Sequence, residues 1–341
     1  MGVQTYTAVW EKTTTFVKKI KKVKAEPLFD TYMSESTEPD IPFRSYRAGF
    51  VSIIGKPNVG KSTLMNVLVG EKMSIITSKA QTTRHRIMGI LNGTHEDVPF
   101  QLVYSDTPGV MKPSYKLHDS MMTFVKGSLE DADMVLFVVE IGEKAAGHEV
   151  LPLLSRTASP VILVLNKTDL SNEADVKLKM EEWQNEVDPA AIVPISALEQ
   201  FNIQTLFDAV ITRLPFHPPY FDEDELTDKP ERFFASEIIR EKIFLNYRQE
   251  IPYSSEVVVS EFKEKEDIIV IRAEILVERK SQKGIIIGEK GEMLKKIGIQ
   301  ARQDLEAFFG KKVFLEQHVK VEPDWRSKEN KLRQFGYNNN D

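Results

Sequence analysis

Gly55-Lys56-Pro57-Asn58-Val59-Gly60-Lys61-Ser62 follows the apolar run Phe50-Val51-Ser52-Ile53-Ile54, and a helical pattern opens from Ser62 and Thr63 toward Val69. This is a strand, a glycine-bounded turn and a helix start in immediate succession. Gly55 and Gly60 permit a turn that aims successive backbone N–H groups at an anion, at the positive end of the following helix. Lys61 is placed to reach the β- and γ-phosphates of a nucleotide, and the Ser62 hydroxyl to meet a Mg²⁺ ion. Residues 55–63 are therefore read as a phosphate-binding loop.

Two further segments decide which nucleotide. Asp106-Thr107-Pro108-Gly109 ends an apolar strand, where a carboxylate is costly unless it faces a metal, here through a water. Gly109 offers an N–H to the γ-phosphate and a hinge that responds when that phosphate leaves. Asn166-Lys167-Thr168-Asp169 ends another strand, where doubly wound sheets bind ligands. The Asp169 carboxylate can accept from N1–H and the exocyclic amine of guanine, a pair of donors that adenine lacks. Lys167 can lay its stem over the base, Asn166 can tie the segment to the phosphate loop, and Ser196-Ala197 can supply backbone contact to the guanine carbonyl. Gln81-Thr82-Thr83-Arg84 falls where a first switch is expected, and Thr83, in preference to Thr82, is the candidate magnesium ligand beside Ser62 and Asp106. Position 110 is valine, which cannot orient an attacking water as a glutamine would. Slow intrinsic hydrolysis is the expectation, with K⁺ held near Asn58 as a candidate second cation.

Strand patterns at 101–105, 134–140, 161–166 and 192–195 alternate with helical patterns at 115–129, 174–187 and 203–214. That alternation implies a mainly parallel sheet covered on both faces. The stretch Leu214-Pro215-Phe216-His217-Pro218-Pro219-Tyr220 ends it, and residues 215–232 are expected to be a linker. Residues 1–44 carry Phe16, Val17, Ile20 and Val23 among lysines and read as a basic, disordered extension. The chain has 341 residues, enough for two domains, and no cysteine, which excludes disulfides and thiolate chemistry. The longest wholly apolar run, Met134 to Val139, is far too short to span a bilayer.

The formal net charge of −6 is uneven: residues 48–278 carry 23 basic and 36 acidic side chains, residues 279–333 carry 14 and 8. A polyanion site confined to the C-terminal segment is the natural reading. There a helix at 233–248 precedes strands at 256–262 and 268–277, then the run Gly284-Ile285-Ile286-Ile287 and the turn Gly288-Glu289-Lys290-Gly291. An amphipathic helix and a strand at 313–321 follow. A GXXG turn between an apolar run and such a helix matches the loop with which KH domains clamp single-stranded RNA. Lys283, Gly284, Gly288, Glu289, Lys290, Gly291 and Lys295 are the candidate RNA-binding residues.

Taken together, Gly-Lys-Pro-Asn-Val-Gly-Lys-Ser, Gln-Thr-Thr-Arg-His-Arg, Asp-Thr-Pro-Gly, Asn-Lys-Thr-Asp and Gly-Glu-Lys-Gly stand in the order found in the Era family of bacterial ribosome-assembly GTPases. The chain resembles that family from about Arg47 to Tyr337, including Arg240-Glu241-Lys242-Ile243 and Asp324-Trp325-Arg326. The resemblance implies an α/β fold, a Ras-like doubly wound phosphate-loop GTPase domain at 45–214, followed after the linker by an α+β type II KH domain at 233–323 and a tail at 324–341. It implies GTP hydrolysis to GDP coupled to binding of the 16S rRNA 3′ end and to small-subunit maturation. It further implies peripheral membrane association, at the inner membrane surface, in some members; a cytoplasmic monomer is expected. The alternative is a nucleotide-gated RNA adaptor whose hydrolysis is incidental. A double-domain GTPase with a KH-like tail is disfavoured, because only one phosphate loop is present. Arg84, Lys144 and the six histidines read as solvated surface or satisfied core.

Overall fold

The computed structural model describes residues 46–77 and 79–337. The expected N-terminal extension and the last four residues of the tail lie outside the described residues. The chain divides into two units: residues 46–73, 87–107 and 126–228 form the first, and residues 74–86, 108–125 and 229–337 the second. The segments 74–86 and 108–125, which follow the phosphate loop and Asp106, thus group with the C-terminal unit.

The first unit is built on β1 (Arg47–Ile54), β2 (Ile87–His95), β3 (Val98–Asp106), β4 (Met134–Glu140), β5 (Val161–Asn166) and β6 (Ala191–Pro194), in the sheet order β2-β3-β1-β4-β5-β6. All neighbours are parallel except β2 and β3. β4 carries an unbroken apolar run, and β1 one interrupted only by the buried Ser52, because both their faces are covered; Ile53, Ile54 and every residue from Met134 to Val139 are fully buried. Helix α1 (Lys61–Val69) starts directly after the loop that leaves β1, and its Leu64 and Met65 are buried. Thus the phosphate loop, Asp106 and Asn166 all lie at carboxyl ends of β1, β3 and β5, where such sheets hold ligands.

β2 was not foreseen. It pairs antiparallel with β3 through the two-residue turn Glu96-Asp97, both with positive φ. The segment read as a linker is also more ordered than its prolines imply. His217 N–H donates to the Tyr46 carbonyl at 3.1 Å and Ile90 N–H to the Leu226 carbonyl at 2.9 Å. The buried Gln101 amide accepts from the N–H groups of Tyr220 and Phe221 and donates to the Phe221 carbonyl. Residues 217–228 therefore run as a strap over the free edge of β2, which satisfies backbone groups that an exposed edge would leave open.

In the second unit, α2 (Lys116–Glu130) contributes its first ten residues. α3 (Glu231–Asn246), β7 (Glu256–Glu264), β8 (Ile268–Val277), α4 (Lys280–Ile287), α5 (Glu292–Phe309) and β9 (Lys312–Val321) complete it. The sheet order is β7-β8-β9, with β7 antiparallel and β9 parallel to β8. Ile239, Ile243, Ile271, Ile275, Ile286, Ile297, Ala301 and Leu305 close one core between helices and sheet. This is the αββααβ order of a type II KH domain. The tail packs on it too: Trp325 is buried and its indole N–H donates to the Ser254 carbonyl at 2.9 Å.

Candidate nucleotide site and RNA-binding surface

Gly55 and Gly60 are glycines because nothing else fits. A Cβ at 55 would stand 2.2 Å from the Val138 carbonyl oxygen, and one at 60 would stand 2.2 Å from Asn166 Nδ2. Gly60 caps α1 in the left-handed region, and the N–H groups of the helix's first turn point away from its start, toward the loop. That is the arrangement that receives a phosphate. Lys61 is buried, and its Nζ folds back on the carbonyls of Gly55 and Lys56 at 3.2 and 2.8 Å. Burial pulls its pKa down to about 8, against the opposing influence of the Asp106 and Glu143 carboxylates. A phosphate at the loop would replace those carbonyls and favour the charged ammonium.

Ser62 Oγ donates to Asp106 Oδ2 at 2.7 Å, and Thr107 Oγ1 to the Ile53 carbonyl at 2.8 Å. The hydroxyl and carboxylate are hard oxygen donors suited to Mg²⁺. Among the described residues no group of three or more His, Cys, Asp or Glu side chains could hold a metal unaided. A magnesium ion here would therefore complete its shell with phosphate oxygens and water. Thr83 and Gly109 lie in segments of the second unit; of the four switch and magnesium candidates, the first unit brings together Ser62 and Asp106.

Asn166 joins three segments. Its amide donates to the Val59 carbonyl at 2.8 Å and accepts from Ala197 N–H at 2.9 Å. Thr168 fixes the next turn, donating through both its N–H and its hydroxyl to the Ile195 carbonyl. Asp169 stands exposed on that turn, Ser196 is buried beside Ala197, and Lys167 pairs with Glu140. Glu143, one of the carboxylates acting on Lys61, is itself held by the buried His148 at 2.7 Å. Sequence reading had given neither residue a part.

On the second unit, Gly288 has φ 72 and Gly291 φ 84, so the turn between α4 and α5 uses left-handed backbone twice. A Cβ at 288 would meet Met293 Cβ at 2.8 Å, whereas 291 opens on empty space. Gly284, Glu289, Lys290 and Lys295 are exposed and Lys283 half-buried. Beside the turn lies a groove of about 520 Å³ that brings Gly291 and Lys295 together with Ile299, Arg302, Phe314 and Gln317. The last four were not singled out from sequence, because Phe314 and Gln317 belong to β9, distant in the chain and marked by no motif. An exposed phenylalanine and an arginine, with Lys295 beside the turn, suit stacking and phosphate contact with single-stranded nucleic acid.

Arg84 proves to be a buried anchor. Its guanidinium donates to the carbonyls of Ser255, Pro252 and Tyr253 and pairs with Glu256 at 2.9 Å, with no side-chain exposure. Tyr337 Oη also donates to Glu256, at 2.5 Å. Arg240, pairing with Glu237, donates to the Thr82 carbonyl. The 74–86 segment is thereby fastened to α3 and β7. Arg84→Ala is expected to destabilise the second unit by about 3–5 kcal/mol, since Glu256 loses its cation and three carbonyls lose a donor. Urea unfolding followed by Trp325 fluorescence checks this; a change below about 1 kcal/mol would show the anchor to be unimportant.

The family model described as "50S ribosome-binding GTPase" matches residues 50–167, and the KH domain model matches residues 250–326. Among solved structures, Era in complex with MgGDPNP and nucleotides 1506–1542 of 16S ribosomal RNA is 41% identical, with a TM-score of 0.81, over 86% of this chain and 99% of that one. The chain belongs to the Era family. A second Era, a substituted variant from Aquifex aeolicus bound to GDP·AlF4⁻, is also 41% identical, with a TM-score of 0.81, over 85% of this chain and 99% of its own. Matches of that extent take in both units.

Proposed function

We propose that this protein binds GTP with Mg²⁺, hydrolyses it to GDP and phosphate, and binds the 3′ region of 16S rRNA in the course of small-subunit assembly. What carries this reading is similarity at 41% identity running through both units, to an Era that holds a magnesium-bound GTP analogue and that RNA in one complex. The groups needed for each step have places in the chain. Lys61 and the N–H groups of residues 60–63 bind and orient the phosphates; Ser62 and Asp106 would hold Mg²⁺, which neutralises charge on the β- and γ-oxygens. Asp169, Asn166 and Ala197 select guanine. Thr83 and Gly109 are proposed to sense the γ-phosphate, each on a segment that groups with the KH unit. The GXXG turn and the adjoining groove would take the RNA.

Hydrolysis is proposed to be slow and to depend on a monovalent cation. Val110 is buried and supplies no hydrogen-bonding group, while Asn58 stands exposed at the loop tip with φ 65. Potassium held there would add positive charge beside the transferring phosphoryl group. We place the protein in the cytoplasm as a monomer, with peripheral association at the inner membrane face; no helix among the described residues is long and apolar enough to cross a membrane. Turnover measured in potassium or sodium at equal ionic strength, with and without single-stranded 3′-end RNA, tests the cycle. The expected result is several-fold faster hydrolysis in potassium and a further change with RNA. Equal rates in both salts would remove the cation, and no phosphate release under any condition would leave a nucleotide-gated adaptor.

A further inference from the structure

Glu140 ends a strand in which every earlier residue, Met134 to Val139, is apolar and fully buried. It stands beside Asn166, its register partner on β5, and the next N–H, that of Ile141, donates to the Asn166 carbonyl at 3.1 Å. The ends of β4 and β5 are thus joined side by side where the guanine turn begins. Lys167 follows with φ 63 and ψ 35, left-handed backbone that glycine or asparagine adopts more readily than lysine. What the position gains from lysine is therefore its side chain. That side chain does not run out into solvent. Its ammonium pairs with the Glu140 carboxylate, and the two side chains are 32% and 38% exposed. An ion pair so open to water stabilises a fold little. Its effect is directional: the methylenes of Lys167 are stretched from the end of β5 toward the end of β4, two residues before Asp169.

We propose that Glu140 is a positioning residue for the guanine nucleotide: it holds the Lys167 ammonium so that the methylene stem lies in place to cover one face of the base. The inference rests on the guanine-turn reading above and adds the group that orders its lysine. A free lysine side chain has several torsions to fix when a ligand arrives, and immobilising such a side chain costs a binding event up to about tenfold in affinity. Pinned to Glu140 beforehand, Lys167 has less freedom to lose. The base edge falls to Asp169 and the phosphates to Lys61 and the loop, so the effect of Glu140 is confined to the face of the base.

The test compares three ligands on the full chain, each with Mg²⁺: GTP, inosine triphosphate, which lacks the exocyclic amine, and inorganic triphosphate, which has no base. Glu140→Ala should weaken GTP and inosine triphosphate alike by roughly 3- to 10-fold, leaving their ratio as in the parent. Its affinity for inorganic triphosphate should stay within about twofold, since that ligand makes no use of Lys167's stem. Glu140→Gln, which keeps a neutral acceptor for the ammonium, should fall between the parent and Glu140→Ala. In a Lys167→Met background the stem remains and the ammonium is gone, so Glu140→Ala should change nothing further. Equal loss on all three ligands, the mark of a merely structural role, would overturn the proposal. So would unchanged or tighter GTP binding by Glu140→Ala, or a loss that persists in the Lys167→Met background. A parent that does not distinguish GTP from inosine triphosphate would instead reject the guanine-turn reading itself.

Discussion

Asp169→Asn converts the protein from a GTP binder into a binder of xanthosine triphosphate. The carboxylate would accept from two guanine donors, and each charge-assisted bond of this kind contributes roughly 1.5–3 kcal/mol. An amide at 169 keeps one acceptor and replaces the other by a donor, which faces the guanine amine badly and the second carbonyl of xanthine well. The exchange leaves the fold alone: Asp169 is exposed, and the turn that carries it is held by Thr168 on the Ile195 carbonyl. GTP affinity should fall by a factor on the order of a hundred or more, with xanthosine triphosphate gaining in proportion. Competition titration of the two nucleotides reads this directly. A variant that still prefers GTP by the parent's ratio would move the guanine reader away from the Asn166–Asp169 turn.

Gly288→Asp combined with Gly291→Asp abolishes RNA binding and leaves GTP binding intact. Both positions have left-handed backbone, and the turn they frame is where phosphates must approach the main chain. The two substitutions act differently. A side chain at 288 collides with Met293, so the turn itself must shift, whereas a carboxylate at 291 has open space and acts through bulk and charge in front of Lys290 and Lys295. The single Gly291→Asp variant therefore isolates the electrostatic part and should lose about tenfold or more in RNA affinity, the double variant all measurable binding. GTP affinity should stay within about twofold, because the phosphate loop and the guanine turn lie in the first unit, and Thr83 and Gly109 lie outside the substituted turn. Loss of both affinities would mean that the two functions are not carried by separate units.

Where one physical signal dominates, the sequence is legible to the residue. Strands Met134–Glu140, Val161–Asn166 and Ile268–Val277 coincide with the patterns read for them, because buried strands carry apolar runs that nothing else explains. β2 escaped because its hairpin turn is Glu96-Asp97, which adopts positive φ without the glycine that announces such turns. The strap escaped because its order comes from Gln101, a buried amide more than a hundred residues upstream whose side chain binds the backbone of Tyr220 and Phe221. Prolines announce that a segment leaves the helix–strand pattern; they do not announce what it packs against.

The same limit governs the site. Glycine spacing and motif order mark the phosphate loop, the guanine turn and the GXXG turn, since each does its work through local backbone geometry. Arg84, Arg240 and Glu143 meet groups far away in the chain, and a single sequence does not pair them. Arg84 and Arg240 in particular tie the segment carrying Thr83 to α3 and β7. That tie holds the segment carrying Thr83 to the KH unit, which no motif by itself conveys.

The most direct test of this account is to crosslink the protein to RNA in living cells and sequence the bound fragments. The account predicts a dominant peak at the 3′ end of 16S rRNA, lost in the Gly288→Asp, Gly291→Asp variant while that variant still binds GTP. Fragments spread evenly over ribosomal RNA, or a 3′-end peak that survives the double substitution, would contradict it.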